Sequence, residues 1–233
     1  MKPRPWASPP ADLHLDGDVV HVWRTDLAVD DDTVRGFEDL LAPNERARAA
    51  RFRLARERRR FVAGRGWLRA VLSRYLQCDP RALSLTLEPG GKPRLAGRIG
   101  DGLQFSLSHS GDRALLAVAR ARRLGIDVES VRSDFEWQGV AAQLFTAREL
   151  ARLATLSADQ RAYACFRRWT RAEAWIKARG DGLAGADTLQ RPLDDDVWLV
   201  RALDAGPGYA AALAVEGRGW SLACYEAVSS SAN

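Results

Sequence analysis

Apolar positions alternate with polar ones, or run on nearly unbroken as in Ala114 to Ala119, along several short stretches of this chain, and each such stretch predicts a strand. They are Val19 to Trp23, Leu83 to Leu87, Leu103 to Ser108, Ala114 to Ala119 and Leu124 to Glu129, then Val197 to Leu203, Tyr209 to Val215 and Trp220 to Tyr225. Gly111-Asp112 suits a tight hairpin, and Gly217-Arg218-Gly219 another turn. Helical spacing dominates elsewhere. Asn44 to about Tyr75 reads as one long basic helix with Phe61, Gly64, Leu68, Val71, Leu72 and Tyr75 on its apolar face, broken near Gly64 and Gly66 if at all. Ala141 to Leu156 and Gln160 to Arg179 read as helices, the second stopped by Gly180-Asp181-Gly182. Asp30-Asp31-Asp32 forms a helix-capping region, and Asp79-Pro80 ends the basic helix. Residues 1–17 read as a loose lead-in, and 228–233 as a frayed polar tail.

The order of these elements predicts an α+β fold of two similar halves, 1–121 and 122–233, with the boundary near Arg120 to Arg122. Each half feeds a helical stretch into one long helix and then into strands. Arg60-Phe61 with Trp67 in the first half parallels Phe166-Arg167-Arg168-Trp169 in the second.

Composition narrows the class. A chain of 233 residues, 46% hydrophobic, is large enough for a substantial core. It has no apolar run of membrane-spanning length and no apolar signal core near Met1, so no membrane partner is expected and a cytoplasmic place is. Cys78, Cys165 and Cys224 are far apart and make no CxxC pattern, which argues against a disulfide framework and a zinc site. The net charge of +5 favours an acidic partner or a polyanionic ligand. Arginine carries nearly all of the positive charge. Lys2, Lys92 and Lys177 are the lysines, so a lysine inside a candidate site gains weight.

Two stretches hold the candidate chemistry. In Leu124-Gly125-Ile126-Asp127-Val128-Glu129 the two carboxylates fall on one strand face, about 7 Å apart along the backbone, and repel unless a cation or proton lies between them. In the helix around Trp169, the residues Phe166, Trp169, Thr170, Glu173, Ile176 and Lys177 fall on one stripe. Three carboxylates, Asp127, Glu129 and Glu173, are therefore expected to gather around one divalent cation, with Lys177 beside it for phosphate. Oxygen ligands without His or Cys suit a hard cation such as Mg²⁺. The plainer alternatives are a polar edge-strand face for Asp127 and Glu129, and an i,i+4 ion pair for Glu173 and Lys177. His109 with its neighbouring serines is unsuited to nucleophilic catalysis, because strand neighbours point to opposite faces and no GxSxG elbow exists. Hydroxyls, an imidazole and a glycine at a strand end suit phosphate instead, as does Lys92 in its turn. The arginine run from Arg46 to Arg60 is equally what a solvated helix face looks like.

Four motifs in the same order resemble the Sfp-type 4'-phosphopantetheinyl transferases. They are Gly91-Lys92-Pro93; Ser108-His109-Ser110-Gly111; Gly125-Ile126-Asp127-Val128-Glu129; and Trp169-Thr170-Arg171-Ala172-Glu173-Ala174-Trp175-Ile176-Lys177 followed by Gly180-Asp181-Gly182-Leu183. The resemblance runs from about Leu41 to Leu183. It implies a pseudo-twofold monomer with coenzyme A in the cleft between the halves. It also implies Mg²⁺-dependent transfer of the phosphopantetheine arm to a serine of an acyl, peptidyl or aryl carrier protein, with release of adenosine 3',5'-bisphosphate. By the same resemblance, Asp127, Glu129 and Glu173 surround the metal, Glu173 is also the base for the incoming serine, and Lys177 meets the phosphate. Ser108 and His109 lie near the 3'-phosphate, while Lys92 and Arg48 contact coenzyme A. Carriers of this kind are acidic, which suits the positive chain. The family's usual lysine before the helix glutamate is Ala172 here, and Arg171 lies about 100° away around the helix. The competing readings are a Mg²⁺-dependent nuclease or phosphatase using the arginine helix, and a non-catalytic coenzyme A-binding protein disabled at Ala172. The transferase reading expects no nucleic-acid partner.

Overall fold

In the computed structural model, residues 6–88, 92–97, 102–134, 136–180, 193 and 195–227 are described. The expectations for residues 1–5, Gly91, Asp181-Gly182-Leu183 and the tail 228–233 lie outside these residues. Strand β1 (Val19–Asp26) opens the fold, and helix α1 (Asp31–Leu40) follows, capped by the Asp30 carboxylate on the Thr33 amide at 2.7 Å.

The long basic helix is two helices, α2 (Pro43–Ala49) and α3 (Ala55–Leu76), and the break falls before Ala55 rather than at Gly64 or Gly66. Phe52, in the connection, stacks against Phe61 with ring centroids 5.3 Å apart. Residues nine apart on an unbroken helix lie about 180° around its axis, so that contact requires the chain to turn between them. Gly66 sits inside α3 because α1 crosses there; a β-carbon at 66 would lie 2.3 Å from Phe37 Cβ. The buried Arg69 then ties α3 to α2 through Glu45 Oε2 at 2.6 Å, and to the following loop through the Pro80 and Leu83 carbonyls.

A small hairpin, β2 (Leu85–Leu87) with β3 (Pro93–Leu95), leads into β4 (Leu103–Ser110) and β5 (Arg113–Arg120), joined by the two-residue turn at Gly111-Asp112. After β6 (Leu124–Ser130), the helix expected over Ala141 to Leu156 is also two, α4 (Trp137–Leu144) and α5 (Ala147–Ala154). Thr146 and Glu149 form a reciprocal capping box that starts α5 afresh. Helix α6 (Ala158–Arg179) ends at Gly180, which adopts φ 80°. Strands β7 (Trp198–Leu203), β8 (Tyr209–Glu216) and β9 (Ser221–Glu226) complete the chain.

Beside the β2-β3 hairpin, the described residues form two larger sheets, in the orders β4-β5-β1-β9 and β6-β8-β7. β9 runs parallel to β1, so the last strand returns to the first sheet. The molecule is a mixed α+β fold in four layers. Helix α3 packs on one face of the first sheet through Trp67, Leu68, Leu72, Trp23 and Leu116. The other face, with Val20, Val22, Leu115 and Ala117, meets the second sheet at Ile126, Leu213 and Val215. Helix α6 covers the far side of that sheet through Ala174, Trp175, Ala212 and Ala214. This layering explains why β5 and β8 read as nearly continuous apolar runs: both faces of each are covered.

Candidate functional site

β6 and α6 meet at a glycine. A β-carbon on Gly125 would lie 2.1 Å from the Ala174 carbonyl oxygen and 2.4 Å from the Ala178 nitrogen, so the helix backbone rests on the strand only because residue 125 has no side chain. The period of the strand then puts Asp127 and Glu129 on the same face, beside the helical turn that carries Glu173 and Lys177. Asp127 is 3% exposed. Its Oδ1 accepts from Lys177 Nζ at 2.5 Å and from the Ser108 hydroxyl at 2.8 Å. Its Oδ2 is buried and accepts nothing among the described residues. Glu129 accepts from the Ser110 hydroxyl at 2.6 Å.

The three acids act on one another. Loss of water raises the pKa of Asp127, against the pull of Lys177 and Ser108. Glu129 is raised first by burial and also by Asp127, with Ser110 opposing. Glu173 is raised by burial and by both other carboxylates, with Lys177 opposing. The structure thus joins Lys177 to Asp127 directly and leaves Glu129 and Glu173 within electrostatic reach of both. Among the described residues no three Asp, Glu, His or Cys side chains form a ready-made metal cage. Lys177 holds the oxygen on one side of Asp127, while the other is left free. The donor set is all oxygen, the acids repel one another, and one buried oxygen lacks a partner. These features fit a hard divalent cation.

Ser108 and His109 part company at the strand. Ser108 turns toward β6, while His109, exposed at the strand end, turns toward α3. Its pKa is lowered first by desolvation and then by Lys177, with Glu57 opposing and Arg65 and Arg60 adding to the shift. Arg48 is exposed, and its guanidinium lies 5.2 Å from the centre of the Phe61 ring, which Arg65 also approaches at 5.8 Å. His109 and Arg48 therefore border a cationic surface on α3, and His109 also feels the Lys177 charge that holds Asp127. Lys92 is committed elsewhere: its ammonium donates to the Leu124 carbonyl at 2.8 Å and to the Lys177 carbonyl at 3.1 Å, latching the start of β6 to the last turn of α6. Burial lowers its pKa.

Ala172 is 1% exposed and belongs to the apolar cluster between α6 and the second sheet, so it adds packing there and no charge. Sequence reasoning missed Arg65, which lies between two glycines beyond the arginine run, and the contact of Ser110 with Glu129. The Ser-x-Ser-x-Ser spacing of β4 was the available signal for the latter, since it matches the Gly-x-Asp-x-Glu period of β6.

Comparison with known proteins gives the family. The family model of the 4'-phosphopantetheinyl transferase superfamily matches residues 123–224, and a second, "4'-phosphopantetheinyl transferase, N-terminal", matches residues 31–121. The 4'-phosphopantetheinyl transferase HetI of Nostoc sp. (strain PCC 7120) is 37% identical over 225 residues, covering 92% of this chain and 95% of that protein. The 4'-phosphopantetheinyl transferase psf-1 of Bacillus pumilus is 28% identical over 78% of this chain and 83% of its own length. The 4'-phosphopantetheinyl transferase AcpT of Escherichia coli (strain K12) is 35% identical over 53% of this chain and 58% of its own length.

Proposed function

Because the chain belongs to the 4'-phosphopantetheinyl transferase family, we propose that it moves the phosphopantetheine arm of coenzyme A onto a serine of an acyl, peptidyl or aryl carrier protein. The observation that carries the reading is the contact of Lys177 on α6 with the buried Asp127 on β6, whose other carboxylate oxygen is left without a partner among the described residues.

Asp127, Glu129 and Glu173 would hold Mg²⁺, which when bound neutralises the diphosphate of coenzyme A. The chain's own residues supply the rest. Lys177, beside Asp127, would donate to a phosphate oxygen. Glu173, with its raised pKa, takes the proton of the carrier serine as the serine oxygen bonds to the phosphorus of the pantetheine phosphate. The bond from that phosphorus to the bridging oxygen breaks, and adenosine 3',5'-bisphosphate leaves. Arg48 and His109 on the α3 side would meet the 3'-phosphate end of coenzyme A, with Ser108 nearby. Lys92 has one N–H left for the ligand after its two carbonyls.

The Sfp-type, pseudo-twofold architecture is part of the proposal. The path β1-α3-β4-β5 in the first half and β6-α6-β7-β8 in the second build sheets of the same order, β4-β5-β1 and β7-β8-β6. The two matched family regions divide near Arg122, in support of halves 1–121 and 122–233. Every proposed site residue comes from one chain, which suits a monomer. The free cysteines suit the cytoplasm, and the +5 charge suits an acidic carrier.

The deciding experiment incubates the protein with an unmodified carrier, coenzyme A and Mg²⁺, and follows the carrier by intact mass. The expected result is addition of one phosphopantetheine to the carrier serine, abolished by chelation of the metal. An unmodified carrier across a panel of acyl and peptidyl carriers overturns the reading.

A further inference from the structure

From its middle onward β4 carries a hydroxyl at every second position, Ser106, Ser108 and Ser110, on the side that meets β6. One edge of β6 is paired with β8, so the amides of its other edge need partners at the junction between the two sheets. The serines provide them. Ile126 N–H donates to Ser106 Oγ at 3.2 Å, Val128 N–H to Ser108 Oγ at 3.4 Å, and Ser130 N–H to Ser110 Oγ at 3.1 Å.

A hydroxyl that accepts an amide still has its own hydrogen to give. Ser108 gives it to Asp127 and Ser110 gives it to Glu129. At the remaining rung the matching position on β6 is Gly125, where α6 lies against the strand. Two of the three rungs thus close the strand edge and aim a carboxylate in the same act. Asp127 has a second anchor in Lys177. Glu129, among the described residues, takes a hydrogen bond from Ser110 alone.

We infer that Ser110 is a positioning residue: it holds the Glu129 carboxylate beside Asp127 through the hydroxyl that also caps the Ser130 amide. The inference rests on the reading of the acid trio as a metal site. Glu129 is half-buried, repelled by Asp127 and attracted by Lys177 and Arg132, so without the hydroxyl its carboxylate is free to turn from Asp127 toward Arg132 and water. A group that orients a metal ligand typically changes affinity or activity by roughly 10- to 100-fold when removed.

The test uses the full-length chain and its Ser110→Ala and Ser110→Thr variants. Mn²⁺ uptake in the presence of coenzyme A is followed by electron paramagnetic resonance, beside the Mg²⁺ dependence of transfer and the melting temperature. Ser110→Ala is expected to bind Mn²⁺ roughly 10-fold more weakly and to need correspondingly more Mg²⁺ for half-maximal transfer. Its rate at saturating Mg²⁺ should stay near the wild-type value, and Ser110→Thr should restore Mn²⁺ affinity. Unchanged Mn²⁺ affinity in Ser110→Ala overturns the inference. So does a lost rate that Mg²⁺ does not repair, accompanied by a lower melting temperature, because the serine would then serve the strand junction alone. Wild-type protein that takes up no Mn²⁺ overturns the metal reading and this inference with it, which separates the two failures.

Discussion

Glu173 and Lys177 are four residues apart on α6, yet they do different work because of what faces them. Lys177 meets a buried carboxylate from another element and donates to it, so its charge is held at the site rather than spent on its helical neighbour. Glu173 has its pKa raised by burial and by two acids near it, which strengthens it as a proton acceptor. Glu173→Gln should therefore lower kcat by about 10²-fold or more while leaving the KM for coenzyme A nearly unchanged, as measured by steady-state transfer to a carrier. Equal turnover would end its role as base. His21 makes a separate prediction. It is buried, its Nδ1 lies 2.8 Å from the Tyr75 hydroxyl, and that oxygen also accepts from Trp23 Nε1 at 2.7 Å. Burial lowers the His21 pKa to about 4, with Asp16 opposing. The unfolded chain takes up this proton as pH falls below about 6.5, while the folded chain does not until about 4. The His21 contribution thus leaves stability untouched above 6.5 and erodes it as pH drops toward 4. Urea midpoints between pH 5 and 7 should fall with pH, and the fall should be shallower in His21→Gln.

Among the elements, the crossing of β6 and α6 decides the site. The strand reads Gly125, Asp127, Glu129 along one face: the first position admits a helix backbone, and the next two meet the side chains of that helix. Gly125→Ala has no room, because the obstructing atoms are backbone. The substitution should displace α6, cost about 1–3 kcal/mol in chemical denaturation, and reduce transfer far more than an equally destabilising change remote from the site. Transfer that survives unchanged would mean that the α6 and β6 groups need not stay in register. The motif was legible here because a strand period and a helix period are local properties. The breaks in the two other helical stretches were legible only in part. Thr146 and Glu149 carry a capping signature in plain view. The turn before Ala55 depends on Phe52 reaching Phe61, a contact that an unbroken helix forbids.

At the scale of the molecule, the two sheets press face to face with a helix on each outer side, and the acids lie where the second sheet, its helix and the edge strand β4 converge. The surface of α3 is rich in arginine, and the whole chain carries +5. Encounter with an acidic carrier should then be electrostatically assisted, so kcat/KM for the carrier should fall severalfold as NaCl is raised, with kcat less affected. A flat salt profile would detach the positive charge from partner choice.

The sequence by itself determined the periodicities, the order of strands and long helices, and the residue types of the acid trio with its lysine, because each of these is written within a few residues of chain. It also carried the motifs of the family. Tertiary structure decided what depends on distant segments meeting. β9 crosses back to pair with β1, although nothing in the local pattern of either strand names its partner. Lys92 spends two donors on carbonyls of β6 and α6, which no turn sequence foretells. Ala172 faces an apolar cluster built partly from strands that follow it by more than two dozen residues. The serines of β4 became hydrogen-bond partners of β6 only once two sheets had packed. Unpaired amides and buried carboxylates incur their cost only after water has been excluded, and folding is what excludes it.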